Sequence, residues 1–213
     1  MKTPRLIIFD VDGTLIDAYP AITGSFNFTM KRLGYPVKPP RVIRKAVGWG
    51  DMNLLKPFVR PEDLQKALRI YRKHHRKALV LSSRVFPGVK RMLAAFKKKK
   101  YLLAIASNRP TKFTRILIKH LSVISYFDYV LCADRLKRGK PHPDIIRKIM
   151  EKLSVRPEYT IYAGDMFIDV LAGRRARVKT VAVLTGSSSR QELKKEKPWK
   201  IMRKITDLPA YLP

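Results

Sequence analysis

The apolar run Leu6-Ile7-Ile8-Phe9 stops at Asp10-Val11-Asp12-Gly13-Thr14, so two carboxylates occupy the loop that leaves a short, wholly apolar segment. Four apolar residues in a row, closed by a glycine-containing turn, read as a strand covered on both faces, and open α/β sheets hold their chemistry beyond the carboxyl ends of such strands. Carboxylates two positions apart, with a glycine permitting a tight reversal and a threonine able to donate, can share one cation while one attacks and the other moves a proton. The pattern points to an enzyme that acts on an anionic group through a bound cation. An isolated acidic turn would produce the same letters, so the reading depends on partners elsewhere in the chain.

The 213 residues, 46% of them hydrophobic, suffice for one large α/β domain or a core domain carrying a smaller second one. Cys132 is the lone cysteine and ends the apolar segment Tyr129-Val130-Leu131-Cys132, which reads as a buried inert thiol and excludes an internal disulfide. The N-terminus offers Lys2, Arg5 and only four apolar residues before Asp10, too few for a secretory or membrane-spanning segment, so a soluble cytoplasmic protein is expected. Lys and Arg total 46 against 16 acidic residues, a formal charge of +30 that attracts polyanions and steers anionic substrates. Lys97-Lys98-Lys99-Lys100, Arg174-Arg175 and Lys194-Lys195 could contact nucleic-acid phosphates non-specifically. Because the basic residues are spread along the chain and not gathered in one tail, solvated helix faces are the favoured explanation.

The next clear strand is Tyr101-Leu102-Leu103-Ala104-Ile105-Ala106, and the gap of about 85 residues after Ile16 is too long for a simple crossover, which implies a helical insertion. Pro20 to Leu33 reads as a helix ended by Gly34, a second helical segment runs through Val42, Ile43 and Val47, and a third opens at Pro61-Glu62 with Leu64, Leu68 and Tyr71 on one face. Pro87-Gly88 resets the chain before a helix bearing Val89, Met92, Leu93 and Phe96. Strands and helices then alternate: helix Thr111 to His120, strand Tyr129 to Cys132, helix Pro143 to Leu153, strand Thr160 to Ala163, helix Val170 to Ala176 and strand Thr180 to Leu184. This alternation predicts an α/β fold with a mostly parallel sheet covered by helices. Ser187 to Lys200 reads as a polar surface loop and helix, and Ile205 to Pro213 as a segment packing back onto the core.

Several strand ends carry polar signals of one kind: Asp10 and Asp12, then Ser107-Asn108, then Gly139-Lys140-Pro141, then Gly164-Asp165 with Asp169. In a parallel sheet these ends converge on one crevice. The segments DVDGT, SN, GKP and GDMFID resemble, in order and spacing, the four motifs of the haloacid-dehalogenase-like hydrolase superfamily, particularly its capped phosphatases of the phosphoglycolate phosphatase kind. The resemblance covers almost the whole chain. It implies a Rossmann-like core formed by residues 1–15 and 85–213, a helical cap inserted over residues 16–84, and Mg²⁺ as cofactor.

The roles read from the residues agree with that resemblance. Asp10 is the nucleophile, able to attack a phosphoryl group and form an aspartyl-phosphate, and Asp12 is the acid–base group that protonates the leaving oxygen and then activates water. Relatives that cleave carbon–halogen bonds lack the second Asp, so its presence favours phosphate esters. Lys140 supplies positive charge to Asp10 and the transferring oxygens. Ser107 and the Asn108 backbone N–H are phosphoryl-binding candidates. The metal set is Asp10, Asp12 (through its backbone carbonyl, as the resemblance implies), Asp165 and Asp169; Asp169 either completes the shell through water, orients Lys140 or caps a helix.

In the insertion, Arg44, Lys45, Trp49 and His74 read equally as cleft residues and as helix surface or cap packing, His74-His75 as ordinary helix surface, and Arg109 as contacting either substrate or solvent. None of them enters the site set. The expected activity is Mg²⁺-dependent hydrolysis of small phosphorylated metabolites by a monomer or homodimer. A phosphosugar mutase of the β-phosphoglucomutase type and a nucleic-acid-binding role on the same scaffold are the alternatives.

Overall fold

The computed structural model describes residues 5–212; Lys2 and Pro213, which figure in the readings above, lie outside the described residues. β1 (Leu6–Phe9) is the central strand. The chain then forms β2 (Ile16–Asp17), α1 (Tyr19–Arg32), α2 (Pro40–Ala46), α3 (Asp51–Leu55), α4 (Leu64–Ser82) and β3 (Arg84–Val85) before returning through α5 (Val89–Lys98) to β4 (Leu102–Ser107). The remainder alternates as α6 (Thr111–His120), β5 (Tyr129–Cys132), α7 (Asp144–Lys152), β6 (Thr160–Gly164), α8 (Phe167–Arg175), β7 (Lys179–Val183), α9 (Arg190–Lys195) and β8 (Lys200–Met202). A 3₁₀ segment, Ile205–Tyr211, closes the described chain and buries Ile205 and Leu208 against it.

The six-stranded sheet has the order β5-β4-β1-β6-β7-β8, and all of its pairings are parallel. The wholly apolar β1 is explained by the pleat. Ile7 and Phe9 enter one hydrophobic layer with α5 and α6, whereas Leu6 and Ile8 enter another with α7 and α8. All four side chains are fully buried, each contributing roughly 1.5–3 kcal/mol of transfer free energy. β4 and β5 follow β1 on one side of it and the chain then crosses to β6 on its other side, so the crevice at the carboxyl end of β1 is a topological switch point.

β2 and β3 pair antiparallel, Ile16 with Val85 and Asp17 with Arg84, so the helices between them leave and re-enter the core at one place. Within that insertion α1 packs along α4. The α4 stripe Leu68, Tyr71, Ala78 and Leu79 belongs to the same apolar cluster as Phe26 and Met30 of α1.

Three sequence expectations change. β8, embedded in a basic segment, adds an edge strand through pairing of Val181 to Val183 with Lys200 to Met202. α3 is a separate five-residue helix too short to show a period. The Ser187 to Lys200 segment is not only surface: Ser188 and Leu193 are buried, and Ser189 and Glu192 form a capping box that starts α9. The lysines ending α5 remain exposed from Lys98 to Lys100, at the helix terminus where cations suit the dipole, and Lys97 pairs with Asp128 at 2.8 Å. No helix among the described residues is long and apolar enough to cross a membrane.

Candidate active site

The carboxyl ends of β1, β4 and β6 and the loop holding Lys140 border a cavity of about 600 Å³, open mouth included. Lys140 is buried, and its Nζ lies 2.5 Å from Asp10 Oδ1, 2.7 Å from Asp169 Oδ1 and 3.3 Å from the Ala106 carbonyl oxygen. Those three partners take the three N–H donors of the ammonium group. Burial works against its charge, but the Asp10 and Asp169 carboxylates overcome that and hold the lysine well above its ordinary pKa. Asp10 is pushed well above the usual carboxylate range by burial, a rise that Lys140 opposes and the neighbouring Asp169, Asp165 and Asp12 reinforce.

Asp165 leaves β6 fully buried. It accepts from Thr14 Oγ1 at 3.2 Å, Tyr19 Oη at 3.1 Å and the Ser187 N–H at 3.0 Å, and burial followed by the Asp169 charge pushes its pKa up to about 7. The backbone closes around this carboxyl group. Gly13 has φ +82°, and a Cβ there would stand 2.7 Å from Asp165 Oδ2; a Cβ on Gly186 would overlap the same carboxyl. Asp169 accepts from Lys140 and from Tyr162 Oη (2.6 Å) through Oδ1, while its Oδ2 accepts the Met166 N–H at 3.0 Å at the start of α8. The lysine-orienting and helix-capping readings of Asp169 therefore coexist in one side chain.

Oxygens of Asp10, Asp165 and Asp169 lie within 4.8 Å of one another. Together with Asp12 they make four carboxylates facing two paired cations, Lys140 and Arg109. An all-oxygen donor set with two uncompensated negative charges suits a small hard divalent cation; burial first, and the neighbouring carboxylates after it, raise the pKa values of Asp10 and Asp165.

Ser107 lies buried on the cavity wall, its Oγ accepting the Arg109 N–H at 3.1 Å. Asn108 does more than its backbone suggests. Its side-chain amide donates to the carbonyls of Gly48 (2.8 Å) and Lys140 (3.0 Å) and accepts the Lys140 N–H at 2.9 Å, bracing the lysine loop and the insertion together. The structure thus brings all seven expected residues to one crevice: Asp10, Asp12, Ser107, Asn108, Lys140, Asp165 and Asp169.

The chain matches the family model described as haloacid dehalogenase-like hydrolase over residues 7–183. It belongs to the haloacid dehalogenase-like hydrolases. Among curated members of that family, a phosphoglycolate phosphatase from Aquifex aeolicus is 32% identical, with 85% of each chain covered. One from Nitrosococcus oceani is 30% identical, covering 98% of this chain and 96% of its own. A crystal structure described as a predicted phosphoglycolate phosphatase from Haemophilus somnus superposes with a TM-score of 0.93 at 25% identity, covering 99% of both chains. The sheet, the flanking helices and the helical insertion are thus those of a haloacid dehalogenase-like hydrolase.

The structure decides one open reading and overturns another. Arg109 does not face bulk solvent: it is buried and grips Asp12 in a bidentate ion pair, with Nε–Oδ2 at 2.9 Å and Nη2–Oδ1 at 2.6 Å. His75 is not helix surface. It is 2% exposed, lines the cavity, and its Nε2 lies 2.9 Å from Arg109 Nη1. Burial, then the Arg109 charge, lowers its pKa to about 2, so the ring is neutral and Nε2 accepts. The detectable signal was spacing, because position 75 falls four residues after Tyr71 and four before Leu79, on the apolar stripe of α4.

The other insertion residues divide. His74 stacks on Phe28 at 4.1 Å, and Lys45 is exposed. Arg44 covers the Tyr19 ring at 3.9 Å and donates to the Gly186 carbonyl at 3.3 Å, tying α2 to the loop after β7. Trp49 is partly exposed, its ring 6.1 Å from that of Phe167.

Proposed function

We propose that the chain is a Mg²⁺-dependent phosphatase of small phosphomonoesters, similar to the phosphoglycolate phosphatases it resembles, working through an aspartyl-phosphate on Asp10. The observation that carries this reading is the position of the Asp10 carboxylate: on the cavity wall, 2.5 Å from the Lys140 ammonium and within reach of the Asp165 and Asp169 oxygens. Asp10, Asp165 and Asp169, with the Asp12 backbone carbonyl, would hold the cation. Bound there, Mg²⁺ supplies positive charge to the phosphoryl oxygens.

Asp10 attacks phosphorus in line with the ester oxygen, and the phosphorus–oxygen bond to the leaving group breaks. The Ser107 hydroxyl donates to an equatorial oxygen, and Lys140, its own N–H groups held by Asp10, Asp169 and the Ala106 carbonyl, offsets the oxygens' charge from a fixed position. Asp12 enters the step protonated, its ion pair with Arg109 given up, and passes that proton to the departing oxygen; it then takes one from the water that attacks phosphorus and frees Asp10. Residues 16–84 act as a cap, opening for exchange and closing over the cleft, with β2 and β3 as its two connections to the core. A small leaving group is favoured because apolar side chains of the insertion, Ile22, Val47 and Leu54, share the cavity wall with Asp10 and Asp12. The cytoplasmic setting belongs to the same reading.

The test is inorganic phosphate release from p-nitrophenyl phosphate, phosphoglycolate, sugar phosphates and nucleotides, with and without Mg²⁺, in the native chain and Asp10→Asn. Metal-dependent release that disappears in Asp10→Asn is the expected result. A folded native chain inactive on the whole panel, or equal release by the variant, overturns the reading; phosphoryl transfer within a sugar phosphate without net release would assign a mutase.

A further inference from the structure

Among the described residues lining the cavity, the charged donors are Lys140 and Arg109, because His75 is held neutral. They differ in spare capacity. All three Lys140 N–H groups are taken. A guanidinium has five N–H donors, and Arg109 gives three of them to named partners: two to Asp12 and one to His75. One hydrogen on Nη1 and one on Nη2 remain, at a cavity whose neighbouring walls are the apolar and aromatic Ile22, Leu54, Tyr71 and Phe113. A fixed, permanently charged fork with unused donors in an apolar pocket is a receptor for a planar anion.

The position of this fork selects which part of the substrate it meets. The phosphoryl group belongs at Asp10, Lys140 and Ser107. Arg109 lies beyond Asp12, toward the insertion, where His75 of α4 holds it. A leaving-group oxygen within hydrogen-bond reach of Asp12, about 3 Å, is therefore within roughly 6 Å of the guanidinium, the separation across one or two carbon atoms.

We propose, resting on the phosphatase reading above, that Arg109 is the residue that selects substrate, receiving a carboxylate carried by a short leaving alcohol and loosening its grip on Asp12 as it does so, with His75 as its positioning residue. His75 suits that task. Its ring stacks on Tyr71 at 4.8 Å and meets Phe113 edge-on at 5.6 Å, its Nδ1 lies 3.1 Å from Ser25 Oγ, and that hydroxyl donates to the Ala21 carbonyl at 2.7 Å. The imidazole acceptor thus has one orientation, set by α1 and α4, and the guanidinium of a core residue takes its orientation from the insertion. A neutral leaving group offers nothing to exchange for the Asp12–Arg109 pair, so the device discriminates against it.

The experiment compares phosphoglycolate with ethyl phosphate, two short esters that differ in the carboxylate, by phosphate release under Mg²⁺. The native chain is expected to favour phosphoglycolate by on the order of 100-fold in kcat/KM. Arg109→Met is expected to lower phosphoglycolate turnover at least about 30-fold more than ethyl phosphate turnover, and Arg109→Lys to fall between. His75→Leu should raise KM several-fold more for phosphoglycolate than for ethyl phosphate, and His75→Gln, whose amide oxygen accepts from Nη1, should restore most of the difference. A native ratio near one, or variants that slow both esters equally, overturns the proposal. The native ratio is read without any variant, so failure of Arg109→Met to fold leaves that arm decisive. Asp10-dependent release from p-nitrophenyl phosphate, run alongside, separates the two readings: its absence removes the phosphatase assignment, whereas its presence with a flat ratio removes only this one.

Discussion

Lys140 Nζ and Asp169 Oδ1 stand 2.7 Å apart at the floor of the cleft, and the other oxygen of that carboxyl caps α8 through the Met166 N–H. The position of the lysine is thereby tied to a helix terminus. Asp169 also accepts from Tyr162, so the ammonium meets a carboxylate whose rotation is stopped from three directions.

Replacing Lys140 with Met removes the cation between Asp10 and Asp169 and leaves both carboxylates buried. Phosphate release should fall at least about 100-fold in kcat, because charge on the transferring oxygens is no longer balanced. Denaturant unfolding should show a loss of roughly 3 kcal/mol, the size expected when one partner of a buried pair is deleted. A stable variant with near-native kcat would contradict the assigned role.

Gly186→Ala places a methyl group against the Asp165 carboxyl, with no flexible neighbour to yield except that side chain itself. Displacing Asp165 should weaken Mg²⁺ affinity at least about tenfold while costing only about 1–3 kcal/mol of fold stability, the range for overpacking. Calorimetric titration with Mg²⁺ measures the first effect and urea unfolding the second.

Metal binding itself should be visible without substrate. At a hundredfold excess over its dissociation constant, Mg²⁺ should stabilise the fold by about 2.7 kcal/mol, raising the melting temperature by several degrees. Asp165→Asn removes one ligand charge from the cluster and should lose most of that rise. An equal shift in the native chain and the variant would place the bound ion elsewhere.

His75 makes stability depend on pH. Its folded pKa, about 2, is far below the 6.5 of the exposed group, so below pH 6.5 the unfolded chain binds a proton that the native chain refuses. The contribution is intact above pH 6.5 and is lost as pH falls, by about 2 kcal/mol on reaching about pH 5. His75→Gln should flatten that part of the profile, measured by urea unfolding at a series of pH values; an unchanged slope would show that the ring titrates normally.

The segments that meet at the candidate site were legible because they lie at or beyond the ends of apolar strands, and a parallel sheet brings strand ends together whatever the sequence distance. Asp10, Ser107 and Asp165 are cases of that rule. The roles of Arg109 and His75 were not legible in the same way. One sits just past Ser107-Asn108, where solvent is as near as the cleft, and adjacent histidines on a helix point about 100° apart, so only the register of α4 against α1 decides which is buried. The side-chain bonds of Asn108 to Gly48 and Lys140 depend on how the insertion lies on the core, which no local pattern records. β8 was hidden because an edge strand of three residues needs little apolar character.

The two-strand neck formed by Ile16–Asp17 and Arg84–Val85 also bears on how such a chain can change over generations. Between adjoining endpoints, residues 18–83 can lengthen, shorten or diverge while the six-stranded register stays as it is. Inheritance is thus modular but not independent. Arg109 travels with the core and the imidazole that aims it travels with the insertion, so a recombined chain would keep its reaction and lose its aim until a new acceptor arose opposite the guanidinium.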